Sequence, residues 1–219
     1  MNIVFAYPTG LNPQKGGVER ITDIIAKILL KRGYTIFYLN WKREQDNYEY
    51  PVPVIDLPSS NLEDPNNLEV YNRFLKENRI DVIINQHGLY EGTYFLSQVK
   101  VQNVKIISVL HSDPFGYYNH LFADLMTLRD SSIKEKVKRV ARFFLYRKVK
   151  KIIHRSLVNH YTFIQEHPQY VCLLSESYKE RLEEYCDLPD NYFISIPNPN
   201  TYENIEIIPH KEPILLFVG

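Results

Sequence analysis

Short apolar runs, rich in β-branched and aromatic residues, recur along this chain between stretches of helical periodicity. Most of the runs are continuously apolar and do not alternate, which is the pattern of strands covered on both faces. They are Ile3–Tyr7, Thr35–Leu39, Val52–Leu57, Asp81–Asn85, Lys105–Leu110, Tyr170–Leu174, Phe193–Ile196 and Ile214–Val218. Strands that alternate with helices in this way predict an α/β fold, a Rossmann-like doubly wound parallel sheet.

The helical stretches and the composition agree with a folded globular domain. The clearest helix is expected over Val18–Arg32, where apolar residues recur at helical spacing and Gly33 follows in the place of a C-terminal cap. With 44% hydrophobic and 24% charged residues, the 219-residue chain is excluded from the disordered class. Its two cysteines cannot supply a disulfide framework or a four-cysteine zinc site, and they fit a reducing cytoplasmic compartment.

The C-terminal part of the sequence predicts a domain boundary. A polar, proline-rich stretch begins at Pro197 and runs to Pro213, and the apolar run up to Gly219 follows it. We therefore expect one domain over residues 1–200, an interdomain linker over 201–213, and the first strand of a second domain over 214–219. The sequence has neither a basic, apolar secretory leader nor an uninterrupted apolar run of about 18 residues, so we expect no membrane span.

The loop after the first strand places Gly16 and Gly17 directly before the Val18–Arg32 helix. Glycines let a ligand approach the backbone closely, and the unpaired N–H groups of a helix start suit a phosphate. The loop has neither the G-x-G-x-x-G dinucleotide pattern nor a Walker pattern. A glycine-rich turn without a ligand is the alternative.

Polar residues follow two further strands where those strands end. Asn85 and His87 follow one strand, and His111 and Asp113 follow the next. In open α/β sheets, ligands bind beyond the carboxyl ends of the strands. His111 could therefore donate a proton or a hydrogen bond to a ligand, and the alternative for both histidines is a structural bond to the loop backbone.

A strongly basic segment lies over Ile133–Leu157. Between Lys134 and Arg155 there are ten Lys or Arg residues and one acid, a net charge of +9 in a chain whose overall charge is zero. Apolar and aromatic residues fall near helical spacing among them, which is typical of a basic amphipathic helix on an anionic lipid surface. The alternative is a surface helix with a solvated charged face. Without a nucleic-acid-binding motif, the basic charge does not predict a nucleic-acid partner.

Four segments stand out in this order along the chain: Gly16–Arg20, Val171–Leu182, Phe193–Pro199 and Ile214–Gly219. Together they resemble segments of glycosyltransferase family 4. Gly16-Gly17-Val18-Glu19-Arg20 is similar to the GG-x-E-R signature that opens the first helix of the family. Val171–Leu182 resembles the segment in which a strand precedes S-E-x-x-K-x-x-L, and Phe193–Pro199 resembles a strand with an I-P-N turn. Ile214–Gly219 is similar to the first strand of the family's second domain.

The resemblance implies the N-terminal half of a GT-B glycosyltransferase, in which two Rossmann-like domains face a cleft. It implies transfer of a hexose-like sugar from a nucleotide-sugar to a polysaccharide or lipid-linked glycan, with retention of configuration, no metal and no other cofactor. By motif match, Gly16, Gly17, Glu19 and Arg20 would line the cleft near the donor diphosphate. His111 would be the catalytic residue that meets the reacting sugar. The acceptor side or cleft wall would comprise Asn85, His87, Asp113, Ser175, Glu176 and Asn198.

One feature of the family is expected on its second domain, namely the E-x7-E motif with the phosphate-gripping Arg and Lys. We therefore expect this chain alone to be catalytically silent. A sugar-nucleotide 2-epimerase and a non-catalytic sugar- or nucleotide-binding module are the alternatives, and the GG-x-E-R loop argues against the epimerase. The expected location is cytoplasmic, at the inner face of the membrane if the basic segment binds lipid.

Overall fold

A computed structural model describes residues 1–42, 47–88, 90–126, 132–167 and 169–198. The strands within these residues are Asn2–Tyr7 (β1), Thr35–Asn40 (β2), Val54–Asp56 (β3), Val82–Asn85 (β4), Lys105–Leu110 (β5), Tyr170–Leu173 (β6) and Phe193–Ser195 (β7). Each confirms a predicted strand to within two residues. The predicted linker over 201–213 and the predicted strand over 214–219 lie outside the described residues.

The seven strands form one sheet in the order β3-β2-β1-β4-β5-β6-β7, and every neighbouring pair is parallel. The chain leaves β1 toward β2 and β3, then returns to build β4 to β7 on the other side of β1. The order therefore reverses between β1 and β4, and the crevice at such a switch point is where doubly wound sheets bind ligands. The predicted doubly wound parallel sheet is confirmed.

Helices cover both faces of the sheet. They are Gly17–Lys31 (α1), Pro65–Glu77 (α2), Tyr90–Leu96 (α3), Gly116–Met126 (α4), Ile133–Glu166 (α5) and Ser177–Glu183 (α6), with a 3-10 turn at Asp190–Tyr192. Val4 and Ala6 of β1 share a buried cluster with side chains of α2 and α3, whereas Ile3 and Phe5 share another with Ala26 of α1. Alternate residues of a strand point to opposite faces, so these two clusters lie on opposite sides of the sheet.

Helix α1 lies within one residue of its predicted bounds at each end, and its fully buried residues are mostly small or polar. Its buried residues are Glu19, Thr22, Asp23 and Ala26, while the aliphatic Ile28 is 45% exposed. Polar side chains on this face make hydrogen bonds within the helix. The Thr22 hydroxyl donates to the backbone carbonyl oxygen of Val18 at 2.7 Å. Lys27 donates to a carboxylate oxygen of Asp23 at 2.7 Å. Ile25 and Leu29 are partly buried and pack against the same cluster as Ala26, so small, polar and aliphatic side chains share the contact with the sheet.

Helix α5 begins at the predicted Ile133 and continues beyond Leu157 to Glu166. At 34 residues it is about 51 Å long. The C-terminal half is buried through Leu157, Tyr161 and Ile164, which pack with α4, α6 and the ends of β5 and β6. Most of the N-terminal half is exposed. Among the described residues, none of the helices is both long enough and apolar enough to cross a bilayer.

Candidate active site

A pocket of about 470 Å³ opens at the switch point of the sheet, beyond the carboxyl ends of β1, β4 and β5. Polar groups gather on the side formed by the strand ends, and apolar side chains of α1, α4 and α5 close the other side. The lining comprises Tyr7, Val18, Gln86, His87, Leu110, His111, Ser112, Asp113, Pro114, Tyr118, Ile153 and Leu157. A mostly apolar hollow with a few converging polar groups is the ordinary form of a small-molecule site.

His111, the first residue after β5, lies in this pocket and contacts Gln86, the first residue after β4. The distance from His111 Nε2 to Gln86 Oε1 is 2.6 Å. Burial lowers the pKa of the His111 imidazole below its ordinary value, because a half-buried ring loses the water that stabilises its charged form. At neutral pH the ring is therefore uncharged, and it can serve as both a hydrogen-bond donor and an acceptor.

Gln86 is a site residue that the sequence analysis missed. Its side chain lines the pocket although the residue is only 2% exposed. Its backbone N–H donates to Ala6 at 2.9 Å, which extends the β1–β4 pairing by one residue. The signal available in the sequence was its position, since it directly precedes His87 at a strand end.

Asp113 lies in the pocket wall, where two partners orient its carboxylate. Oδ1 accepts from the backbone N–H of Phe115 at 2.9 Å, and Oδ2 accepts from Arg181 Nη1 at 3.0 Å. Arg181 belongs to α6 and was not predicted as a site residue. Each carboxylate oxygen keeps a lone pair, so Asp113 can still accept from a ligand hydroxyl.

The two elements that flank the glycine loop line the same pocket, through Tyr7 at the end of β1 and Val18 in the first turn of α1, while Gly16 and Gly17 lie next to its lining in sequence and not in it. Gly17 is the first residue of α1, and Gly16 precedes it in an extended conformation. The Glu19 carboxylate folds back over Gly16, where a Cβ would collide with it. Burial, followed by the negative charge of Glu19, raises the pKa of the Tyr7 hydroxyl. Arg20 points away from the buried face and is exposed.

Asn85 and His87 have different environments despite their proximity in sequence. Asn85 is fully buried. Its Oδ1 accepts from the backbone N–H groups of His87 and Gly88, both at 3.2 Å. Its Nδ2 donates to Thr93 and Ser108, also at 3.2 Å. Asn85 therefore shapes the turn behind the pocket, whereas His87 lines the pocket and packs edge-to-face against Tyr7 with ring centroids 6.3 Å apart.

Gly88 closes this turn and is a second residue that the sequence analysis missed. Its φ is +60°, in the left-handed region that glycine adopts most readily. A Cβ at this position would collide with the backbone carbonyl oxygen of Val109 in β5. Gly88 thus allows the turn after β4 to lie directly against β5, which brings Gln86 and His111 together.

Among the eleven predicted site residues, His87, His111 and Asp113 line the pocket. The other eight are not in its lining as the described residues form it: Gly16, Gly17, Glu19, Arg20, Asn85, Ser175, Glu176 and Asn198. The Ser175 hydroxyl contacts Ser177 Oγ at 2.9 Å and accepts from the Ser177 backbone N–H at 3.3 Å, so it forms a local turn just before α6. Glu176 and Asn198 are exposed. Their assignment to a cleft wall stays a prediction. In the described residues, no group of three or more His, Cys, Asp or Glu side chains is arranged to hold a metal ion.

Comparison with known proteins places the chain in a family. The family model described as Glycosyltransferase Family 4 matches residues 15–199, which include six of the seven strands and every residue of the pocket lining except Tyr7. This protein belongs to glycosyltransferase family 4. Its sheet is the Rossmann-like architecture that GT-B glycosyltransferases use, as the sequence predicted.

One similar solved structure is "WaaG, a glycosyltransferase involved in lipopolysaccharide biosynthesis". The identity is 15% and the TM-score 0.47, with 92% of this chain and 46% of that chain covered. The chain thus spans about half the length of that protein. No curated protein matches the sequence.

Proposed function

We propose that this chain is the acceptor-side domain of a retaining glycosyltransferase that moves a hexose-like sugar from a nucleotide-sugar to a glycan acceptor. The observation that carries the proposal is the pocket at the switch point of a family 4 domain, with His111 and Asp113 in its wall. The reaction uses no metal, and a second domain supplies most of the groups that bind the donor.

The chemistry of the pocket suits a sugar ring. A sugar presents apolar C–H faces and a rim of hydroxyl groups. The apolar side chains of Leu110, Ile153 and Leu157 match the faces, while His111 and Asp113 match the hydroxyls. His111 meets the reacting sugar, and Asp113 holds a hydroxyl through an oxygen that Arg181 leaves partly available.

The donor diphosphate belongs, in this proposal, at the N-terminus of α1. Gly16 and Gly17 bring backbone N–H groups to that end of a 15-residue helix, where the dipole favours an anion. The Glu19 carboxylate folds over Gly16 and would repel a phosphate there. Donor binding therefore requires that Glu19 swing away or that a cation of the second domain offset its charge.

A transfer assay with a panel of nucleotide-sugars tests this function. It is run on the chain alone and on the chain joined to whatever sequence follows Gly219 in its gene. We expect transfer only from the longer protein, with the configuration at the anomeric carbon retained. Transfer by the chain alone would refute the need for a second domain. Absence of transfer from every donor by the longer protein would instead favour a binding module.

The acceptor is proposed to be lipid-linked, and the outer half of α5 provides the reason. Ile133, Val137, Val140 and Phe144 follow helical spacing, lie on one stripe of the helix, and are between 58% and 80% exposed. The same stripe continues with the exposed Lys148, Lys151 and Arg155. An exposed apolar stripe that runs into cations fits an anionic lipid surface, where each cation contributes about 1 kcal/mol.

Helix α5 also contributes to the wall of the pocket, which is consistent with a lipid-linked acceptor. Ile153 lines the pocket and lies nine residues beyond Phe144, which is about 14 Å along the helix axis. Nine residues also turn the helix by about 180°, so Ile153 faces away from the stripe, and a lipid-linked sugar must extend around α5 to reach His111. Since nucleotide-sugars are cytoplasmic metabolites, the proposed location is the inner face of the membrane.

Sedimentation with vesicles that contain anionic phosphatidylglycerol tests the membrane part. We expect the wild-type chain to bind at low salt and to be released as salt screens the charges. Replacing Val137, Val140 and Phe144 by Ser should abolish binding. The matched control replaces Ile28 and Leu30, which are exposed apolar residues of α1, and should leave binding unchanged. Failure of the wild type to bind at low salt would refute the lipid surface and leave a solvated helix or a protein partner.

A further inference from the structure

We infer that Gln86 is a positioning residue that holds the proton of His111 on Nε2, so that Nδ1 faces substrate as a hydrogen-bond acceptor. The observation is the 2.6 Å contact between His111 Nε2 and Gln86 Oε1 inside the pocket. The part that concerns substrate rests on the proposed function. The part that concerns the tautomer does not.

The position of Gln86 is fixed by its surroundings. Its backbone N–H is bonded to Ala6 of β1, and Asn85 accepts from the two N–H groups that follow it in the chain. Gly88 then packs against the carbonyl of Val109 in β5. These contacts hold the turn after β4 against the strand that carries His111. The Gln86 amide, 2% exposed, is therefore held in place and not free to sample solvent.

The amide oxygen decides which nitrogen of His111 carries the proton. A carbonyl oxygen can only accept, so a nitrogen that bonds to it must donate. The short distance lies at the strong end of the range for N–H···O bonds. Among the described residues, the ring makes this one hydrogen bond, and Nδ1 keeps its lone pair. Other titratable groups lining the pocket are Tyr7, His87, Asp113 and Tyr118.

A lone pair on Nδ1 selects what the pocket can bind. A sugar hydroxyl can donate to it, whereas the oxygens of a phosphate or carboxylate can only accept and would be repelled. The Asp113 carboxylate in the same wall also accepts hydrogen bonds and repels anions. The Glu19 carboxylate acts in the same sense, since its charge is felt at Tyr7, which lines the pocket. The pocket therefore takes the neutral, hydroxyl-bearing part of the substrate, and the diphosphate must lie outside it.

The tautomer can be measured directly by long-range ¹H–¹⁵N correlation spectra of the ¹⁵N-labelled chain, with His111 assigned by comparison with His111→Asn. We expect a protonated Nε2 whose hydrogen exchanges slowly with solvent, and an unprotonated Nδ1. In Gln86→Leu the Nε2 hydrogen should exchange at least about tenfold faster, as expected for the loss of one hydrogen bond. Gln86→Glu should restore the slow exchange and raise the pKa of His111. The control Gln165→Leu, an exposed position on α5, should change neither.

A proton on Nδ1 in the wild type, or unchanged exchange in Gln86→Leu, would overturn the inference. If Gln86→Leu does not fold, the wild type and Gln86→Glu still decide it. Substrate contact is then tested with transfer assays of His111→Asn and His111→Gln, whose amides lie near the positions of Nδ1 and Nε2. We expect His111→Asn to keep more activity, and the reverse order would contradict contact through Nδ1. A correct tautomer together with absence of transfer by the longer protein would refute the proposed function only.

Discussion

The carboxylate of Asp113 and the guanidinium of Arg181 form an ion pair of 3.0 Å that joins the loop after β5 to helix α6. The two residues are 68 positions apart in sequence. Asp113 lines the pocket beside His111, whereas Arg181 follows β6 in the part of the chain that the family resemblance assigns to the cleft. The ion pair therefore couples the position of α6 to the pocket wall.

Replacing Arg181 by Ala should change substrate binding more than stability. The two side chains are 50% and 25% exposed, so the pair contributes only about 0–1 kcal/mol to folding. Without it, Asp113 loses its orientation, and we expect KM for the acceptor to rise while the urea midpoint shifts little. Arg73→Ala, which removes the exposed Glu69–Arg73 pair of α2, is the control. An unchanged KM would mean that Asp113 does not need Arg181.

Gly88→Ala should destabilise the fold by more than about 1 kcal/mol, because alanine is strained at positive φ and its Cβ would meet the Val109 carbonyl. Urea unfolding measures this. The matched variant is Gly17→Ala, since a Cβ at Gly17 has nothing within 4 Å. That variant should fold normally, and equal losses in both would contradict the steric argument.

His160 should make the fold sensitive to acid. The residue is fully buried, and burial lowers its pKa from 6.5 to about 4. Between these pH values the unfolded chain binds a proton on His160 and the folded chain does not. The free energy of unfolding therefore falls as pH drops from 6.5 toward 4. The loss amounts to about 3 kcal/mol. Urea unfolding between pH 7 and 4 measures it. His160→Phe should flatten the curve and His120→Phe, at an exposed position, should not.

The size of the effect of His111→Leu distinguishes two roles for this histidine. Loss of one neutral hydrogen bond costs about tenfold in kcat/KM, whereas loss of a general acid or base costs about 10²–10⁴-fold. Since the uncharged ring has Nε2 engaged by Gln86, we expect the smaller effect. Steady-state kinetics of the longer protein measure it, and a loss above about a hundredfold would indicate proton transfer.

The sequence allowed the sheet to be predicted well, because strands buried on both faces are continuously apolar and end at turn residues. It also located His111, because strand ends of parallel sheets gather at one edge. The sequence analysis named Asn85 as a site residue and gave no role to Gln86, whereas Gln86 is the one of the two that lines the pocket. Local patterns do not reveal which neighbouring side chain faces a pocket, and Asn85 turns into the buried network while Gln86 reaches His111 across β4 and β5.

The face of α1 could not be predicted for a related reason. Periodicity identifies an apolar stripe but not how closely the helix approaches the sheet. In this fold Thr22 and Ala26 are fully buried, while Ile25 and Leu29 are partly buried and pack against the same core cluster. Arg181 was missed because its partner is on a distant loop, which a single sequence does not indicate.

Helix α5 is long enough that a small change in its tilt at the buried end moves its exposed end by several ångströms. Its buried end carries Leu157 in the pocket wall, and its exposed end begins 24 residues earlier, about 36 Å away along the axis. A tilt of about 5° around Leu157 would move the outer end by about 3 Å. Anything that holds the outer end in place thus also restrains the angle at which the pocket wall meets the sheet.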